Sequence, residues 1–319
     1  MKSITKSNLT HEQINRIARQ AFDENCVSFT ELGDGWFNTA YDIELDSGRS
    51  AILKIAPPPH IKVMRYEEDI MAVEVDAMQQ VKARTSVPVP DIYTYNTSYD
   101  ILGQEYYMME KLKGVPYNYI QNTLPEEQRE RIETCLGRYN RQINEILGDR
   151  FGLYASAHPR FDTWYEAFYH MVNMMLEDGA EFDVDITRPY DELLALIASL
   201  KGVLDGVAQP RLTHWDLWAG NVFVDGGRIT GIIDFERALW GDPMMEVFFY
   251  LDDSLYFING YGEDALQDPG TRIRRRLYGL YMGLAMVIEI PYRQYEEKGH
   301  KEWVMENLKN RFRELEEVL

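Results

Sequence analysis

Cysteine is close to absent from this sequence: Cys26 and Cys135 are the two it has, far apart and in no CxxC or other metal-ligand spacing. That excludes a disulfide scaffold and a cysteine-based metal centre, and fits a reducing compartment with free thiols. His11, His60, His158, His170 and His300 are dispersed, so no zinc site is expected. A long apolar run is also missing. The most apolar stretch, residues 277–290, is interrupted by Glu289 and followed by Pro291, and reads as a buried helix rather than a membrane span. The opening MKSITKSNLTHEQINRIARQ lacks the apolar core of a signal peptide and reads as an amphipathic helix behind the N-cap Thr10. A cytoplasmic protein with no membrane partner is expected. Positive charge is scarce, with 33 Lys and Arg against 52 Asp and Glu and a formal net charge of −19. Such a chain repels polyanions, so nucleic acid is not an expected partner. A cationic small molecule would be drawn to an acidic cleft, unless the carboxylates are simply spread over a solvated surface.

What the sequence does contain is enough chain, 319 residues, for one large domain or two lobes, each with its own core. Residues 27–32, 40–45 and 50–55 are short runs rich in β-branched and apolar residues, with turn signals at Gly33, Asp34, Gly35 and at Asp46, Ser47, Gly48. This pattern predicts an antiparallel meander. Apolar residues Ile70, Val73, Ala77, Met78 and Val81 recur at helical spacing over 66–84, and strands are expected at 92–95 and 105–112. Beyond Gly114 helical patterns dominate, over 125–147, 161–177, 189–204, 270–295 and 302–319. No internal repeat or low-complexity tract is visible. The class is α+β, with a small antiparallel-sheet lobe over 1–110 and a mainly helical lobe over 111–319.

Within the helical half, NVFV and ITGIIDF are joined by Asp225, Gly226 and Gly227, a hairpin signal. A hairpin brings its two ends together, so Asn221 and Asp234 converge at one end, as a hard cation bound by few protein ligands plus phosphate oxygens requires. Asp216, five residues before Asn221, can stand beside that metal site and accept a proton from an attacking hydroxyl.

HWDLWAGN followed by IIDFE, with GDP at residues 241–243, resembles the aminoglycoside phosphotransferase and choline kinase superfamily, which has the bilobal protein-kinase-like fold. By resemblance Asp216 is the catalytic base, Asn221 and Asp234 bind Mg2+, and His214 and Asp242 brace the loops. The first half agrees. In ELGDGWFNTAYDIELDSGRSAILKI a strand, a glycine-containing turn and a second strand precede a third that carries Lys54. The resemblance implies a nucleotide site at Gly33, Gly35, Asn38, Thr39 and Lys54, with Lys54 on the α and β phosphates and Glu74 holding its ammonium. Asn38 stands where protein kinases have the last glycine of GxGxxG, and Asn38–Thr39 fits the resembled superfamily better. Glu67 and Glu68, on the same helix as Glu74, are expected in solvent. YYMMEKLKG resembles the connector between kinase lobes, so Met108, Met109, Glu110 and Lys111 are the expected base-binding stretch.

The activity implied is γ-phosphoryl transfer from ATP or GTP to a hydroxyl of a small acceptor, by a monomer or homodimer. Glu177, Asp178, Asp183, Asp185, Asp252 and Asp253 are acidic candidates for an amine-bearing acceptor such as an aminoglycoside, with antibiotic resistance as one physiological reading. Choline, an amino alcohol, a sugar or a macrolide remain alternatives, as does a regulatory pseudokinase that binds nucleotide without transfer. Trp215 and Trp218 either shape the substrate pocket or pack beneath the loop. Met171, Met174, Met175 and Phe168 are expected in the core. Arg272, Arg274, Arg275 and Arg276 form a solvated face or pair with the chain's own carboxylates.

Overall fold

The structure is a computed structural model that describes residues 4–33, 35, 37–252, 254–294 and 299–319; of Asp252 only the backbone is described. The chain folds as two compact units: Met1–Val63, Pro90–Leu112 and Ile290–Lys298 in the first, and Met64–Val89, Lys113–Glu289 and Gly299–Leu319 in the second.

The first unit is built on an antiparallel sheet of β1 (Cys26–Leu32), β2 (Thr39–Leu45), β3 (Ser50–Ile55), β4 (Ile92–Asn96) and β5 (Tyr106–Glu110), in the order β1-β2-β3-β5-β4. Helix α1 (His11–Phe22) starts at Thr10, whose hydroxyl and the Gln13 side chain cap each other's backbone. Its apolar stripe, Ile14, Ile17 and Ala18, lies on Tyr41, Ile43, Leu45, Leu53, Ile55, Tyr106 and Met108. Side chains alternate across a strand, so Lys54, between Leu53 and Ile55, projects from the face opposite α1.

The second unit holds α2 (Ile70–Arg84), α3 (Glu126–Asn144), α4 (Trp164–Ala180), α5 (Tyr190–Ser199), α6 (Lys201–Leu204), α7 (Leu255–Tyr261), most of α8 (Thr271–Arg293) and α9 (His300–Glu316). Two three-stranded sheets accompany them. One places the hairpin β9 (Val222–Asp225) and β10 (Arg228–Ile232) beside β6 (Val115–Pro116), and the other orders β7 (Gly152–Leu153), β11 (Leu239–Gly241) and β8 (Arg211–Thr213) as β7-β11-β8. Gly226 and Gly227 form the hairpin turn with φ of 54° and 76°, the two positive values that a tight two-residue turn demands. Met171, Met174, Met175 and Phe168 are buried on α4. Among the described residues no helix is long and apolar enough to cross a membrane.

Three local expectations need correction. The helix expected from 66 begins as a separate 3-10 turn, Arg65–Glu67, and α2 starts at Ile70 because Asp69 takes a left-handed conformation, φ 59°. Glu67 is buried rather than solvated: its carboxylate accepts the Met64 N–H at 2.9 Å, capping that turn. The helix expected over 189–204 is broken into α5 and α6 at Leu200, which lies at φ −89°, ψ 9°.

Candidate active site

The loop between β8 and β9 carries His214, Trp215, Asp216 and Asn221, and its course depends on a residue that the sequence did not single out. Trp215 sits at φ 62°, a conformation that costs a bulky residue roughly 1–2 kcal/mol. Glu246 holds it there. This fully buried carboxylate accepts the N–H groups of His214 (2.9 Å) and Trp215 (3.1 Å), and the side-chain amides of Asn140 (2.9 Å) and Asn144 (3.4 Å). Burial raises its pKa, and the same four donors oppose the rise. His214 makes the second set of restraints. Its Nδ1 accepts the Asp216 N–H at 3.2 Å, so the proton resides on Nε2, which donates to the Ile233 carbonyl at 2.9 Å. One imidazole thereby ties the loop to the residue before Asp234.

The hairpin ends meet as its geometry requires: the Ile233 N–H donates to the Asn221 carbonyl at 3.0 Å. The Asn221 amide donates to the Asp216 carbonyl at 2.9 Å and approaches its carboxylate at 3.4 Å, which leaves the Asn221 side-chain oxygen as the acceptor end of that amide. Asp234 is also left-handed, φ 71°, a conformation that Asp tolerates better than most residues and that clusters at functional sites. Glu74, Asp234 and Glu236 each offer a carboxylate oxygen within 4.8 Å of the others, an all-oxygen set suited to a hard cation.

Burial pushes the Asp216 carboxyl up to about 7; Arg237 opposes that rise, while Asp234 and Glu289 add to it and the Asn221 bond offsets part. Arg237 and Glu236 are further residues that sequence reading passed over. The Arg237 guanidinium lies 5.7 Å from the ring centres of both Tyr66 and Trp215, and 3.7 Å from the Glu289 carboxylate. Burial disfavours its charge, but Tyr66, Asp216, Glu289 and Glu236 keep it protonated. The available signal was a lone arginine in the apolar context FERALW, matched by Glu289 within an apolar helix.

Asp242 accepts from Arg274 Nε (2.7 Å), the Tyr278 hydroxyl (2.8 Å) and the Met244 N–H (3.1 Å), all buried. The basic cluster is therefore not one solvated face: Arg274 pairs with Asp242 and Asp268, Arg276 with Glu314, and Arg275 donates to the Phe249 carbonyl, while Arg272 stays exposed. Arg274→Met is expected to cost about 3–5 kcal/mol, the range for stranding one member of a buried ion pair. Chemical denaturation of the two proteins measures it, and an unchanged midpoint would remove Asp242 from the set of braces.

In the first unit, Lys54 pairs across the sheet with Ala40 and Tyr107. By alternation Met109 shares the Lys54 face, whereas the Met108 side chain is packed into the α1 core. Glu110 accepts the Asp91 N–H at 3.3 Å, and Lys111 pairs with Asp42 at 2.5 Å. Asn38 and Thr39 are buried at the start of β2, close after Gly33 and Gly35; Asp34 and Trp36 lie outside the described residues.

The acidic acceptor candidates fare differently. Asp178 is 1% exposed, accepts the Arg65 N–H at 3.0 Å and pairs with the Arg65 guanidinium. A carboxylate so buried needs that partner, so Asp178 anchors α4 rather than meeting an acceptor. Glu177 is exposed, accepting from Asn173 at 2.7 Å, and Asp185 accepts the Thr187 N–H at 2.7 Å; Asp183 is exposed. The Asp252 side chain and Asp253 lie outside the described residues. Trp215 is fully buried and stacked on Tyr281 with centroids 5.2 Å apart, which selects packing over pocket for that residue; Trp218 is 43% exposed.

The description of the phosphotransferase enzyme family, APH, matches residues 28–280, a span that includes the loop, the hairpin and the GDP turn. The chain belongs to this family. A curated family relative, the aminoglycoside 3'-phosphotransferase of Niallia circulans, is 25% identical over 251 residues, covering 74% of this chain and 86% of its own. A subtelomeric hrmA-associated cluster protein of Aspergillus fumigatus is 28% identical over 138 residues, covering 43% of this chain. This chain spans 26% of that fungal relative's length. Among solved structures, a thermostable aminoglycoside phosphotransferase APH(4)-Ia in ternary complex with ADP and hygromycin B superposes with a TM-score of 0.65 at 17% identity, over 95% of this chain and 98% of that one. The fold is the α+β, protein-kinase-like one expected.

Proposed function

We propose that this protein is a magnesium-dependent small-molecule kinase that transfers the γ-phosphoryl group of ATP or GTP to a hydroxyl of an amine-bearing acceptor. The observation that carries the reading is the convergence of Asp216, Asn221 and Asp234, cross-braced by His214. Asp216 would align the acceptor hydroxyl and take its proton as the hydroxyl oxygen attacks the γ-phosphorus and the β-phosphate oxygen leaves. Asn221 Oδ1 and the Asp234 carboxylate would hold the magnesium ion, which would supply positive charge against the triphosphate. Lys54 is the proposed partner of the α and β phosphates, and Glu74, buried on α2, stands with Asp234 and Glu236. The acceptor class is supported by the net charge of −19 and by the aminoglycoside phosphotransferase relative that covers 74% of this chain.

Nucleoside diphosphate release with ATP or GTP tests this, across aminoglycosides, choline, amino alcohols, sugars and macrolides. The expected result is acceptor-dependent release that EDTA abolishes and excess Mg2+ restores. Nucleotide binding without release for any acceptor would favour the pseudokinase reading instead.

A further inference from the structure

Along the stretch 212–219, which carries the proposed base, every residue is buried except Asp216 and Trp218. Trp215 and Leu217 are turned fully inward, whereas Trp218 is 43% exposed. An indole is a large apolar surface, and a ligand that covers it gains much of its binding there. The backbone of Trp218 is fixed on both sides. Its N–H donates to the Asp216 carbonyl (3.0 Å) and its carbonyl accepts the Asn221 N–H (3.0 Å), so the residue is held between the base and a proposed metal ligand. The ring is folded forward over Gly220, where a Cβ would stand 2.2 Å from Cζ2 and 2.3 Å from Cη2 of the indole. Glycine at 220 is what lets the indole lie along this turn.

A second aromatic side chain borders the same place. The 3-10 turn Ala219–Asn221 packs against another, Tyr117–Tyr119. Tyr117 is fully buried and donates to the Glu133 carboxylate at 2.9 Å, which anchors that segment, while Tyr119 is 57% exposed. Two residues of chain span at most about 7 Å, so an acceptor whose hydroxyl rests at Asp216 brings its neighbouring atoms to Trp218. The face of an indole is electronegative and attracts a cation more strongly than any other aromatic side chain. The Asp216 carboxylate beside it favours the same sign of charge. Asp178, an acid that could have met an amine, is already paired with Arg65 in the interior.

We propose that Trp218 determines acceptor specificity, its indole face receiving the amine of the bound molecule in a cation–π contact. This rests on the kinase reading and deepens it, so the test separates the two. Calorimetric titrations of Mg·ADP, and of kanamycin A and choline in its presence, are compared for the wild type, Trp218→Phe and Trp218→Leu, with thermal denaturation to show that each is folded. Trp218→Leu keeps an apolar side chain but no ring, and should weaken whichever amine the wild type binds about tenfold. Trp218→Phe keeps a ring face and should stay within about threefold. Mg·ADP affinity should stay within about twofold in both, because the substitutions leave the backbone bonds to Asp216 and Asn221 in place. Equal weakening in the two variants, no weakening in either, or a matching loss of Mg·ADP affinity would overturn the assignment. A wild type that binds Mg·ADP and neither amine would overturn it too, while leaving the kinase reading standing. A wild type that fails to bind Mg·ADP would overturn the kinase reading and Trp218 with it.

Discussion

Asp216→Asn is expected to lower kcat by roughly 10²- to 10⁴-fold, the range for loss of a positioned general base. The amide matches the carboxylate in size and retains an oxygen within reach of Asn221, so the loop should keep its course. His214 and Glu246 grip this loop through backbone groups, which the substitution leaves in place. Nucleotide affinity should therefore change little. Asp216 is recessed near Asp234 and Glu289, and its raised pKa records the cost of a charge there. A neutral amide removes that cost, so the melting temperature should stay equal or rise while turnover collapses, the behaviour expected of a site that trades stability for activity. Steady-state kinetics and thermal denaturation on one preparation check both halves. Wild-type turnover in the variant would end the assignment of Asp216 as base.

Glu246→Ala is expected to destabilise the protein by about 3–5 kcal/mol, because it removes the acceptor for two backbone N–H groups and two asparagine amides at a fully buried position. The loss reaches the chemistry as well. Trp215 is left-handed in the native loop, and without Glu246 its backbone can relax, carrying Asp216 away from Asn221. Glu246→Gln keeps one acceptor oxygen but turns an NH2 toward a cluster of donors, so it should fall between the wild type and alanine. Urea denaturation gives the stability, and the phosphotransfer assay gives kcat. Unchanged stability in Glu246→Ala would show that the loop is held by His214 and packing alone.

Glu246 also marks where sequence reading stopped. It follows the apolar run GDPMM and precedes VFFY, and nothing local separates it from a carboxylate that happens to be near the surface. Its partners come from α3 and from the loop 31 and 32 residues earlier. Asp178 and Glu67 fail for the same reason in the opposite sense: the sequence offers Asp178 as an acid for the acceptor and Glu67 as a solvated one, yet Arg65 and the Met64 N–H await them in the interior. Arg237 was overlooked because cation–ring contacts with Tyr66 and Trp215 join residues far apart in the chain. The hydrogen bonds that tie residues 5–9 to residues 37–41 have no counterpart in the residue pattern, because each of the five uses a backbone group of one segment or the other: Thr5 Oγ1 to the Phe37 carbonyl, Lys6 Nζ to the Asn38 carbonyl, the Ser7 N–H to Thr39 Oγ1, the Leu9 N–H to the Tyr41 hydroxyl, and that hydroxyl to the Ser7 carbonyl.

Strands β1 to β5, α1 with its Thr10 cap, and the Gly226–Gly227 hairpin that joins Asn221 to Asp234 followed from the sequence by itself, because alternation, capping and positive φ are decided within a few residues, whereas the short strands β6, β7, β8 and β11 did not. Only the tertiary structure decided the fate of each charge. Whether a carboxylate is solvated, braces a loop or lies beside a base depends on donors brought from distant elements, and a buried charge is tolerated only where they converge.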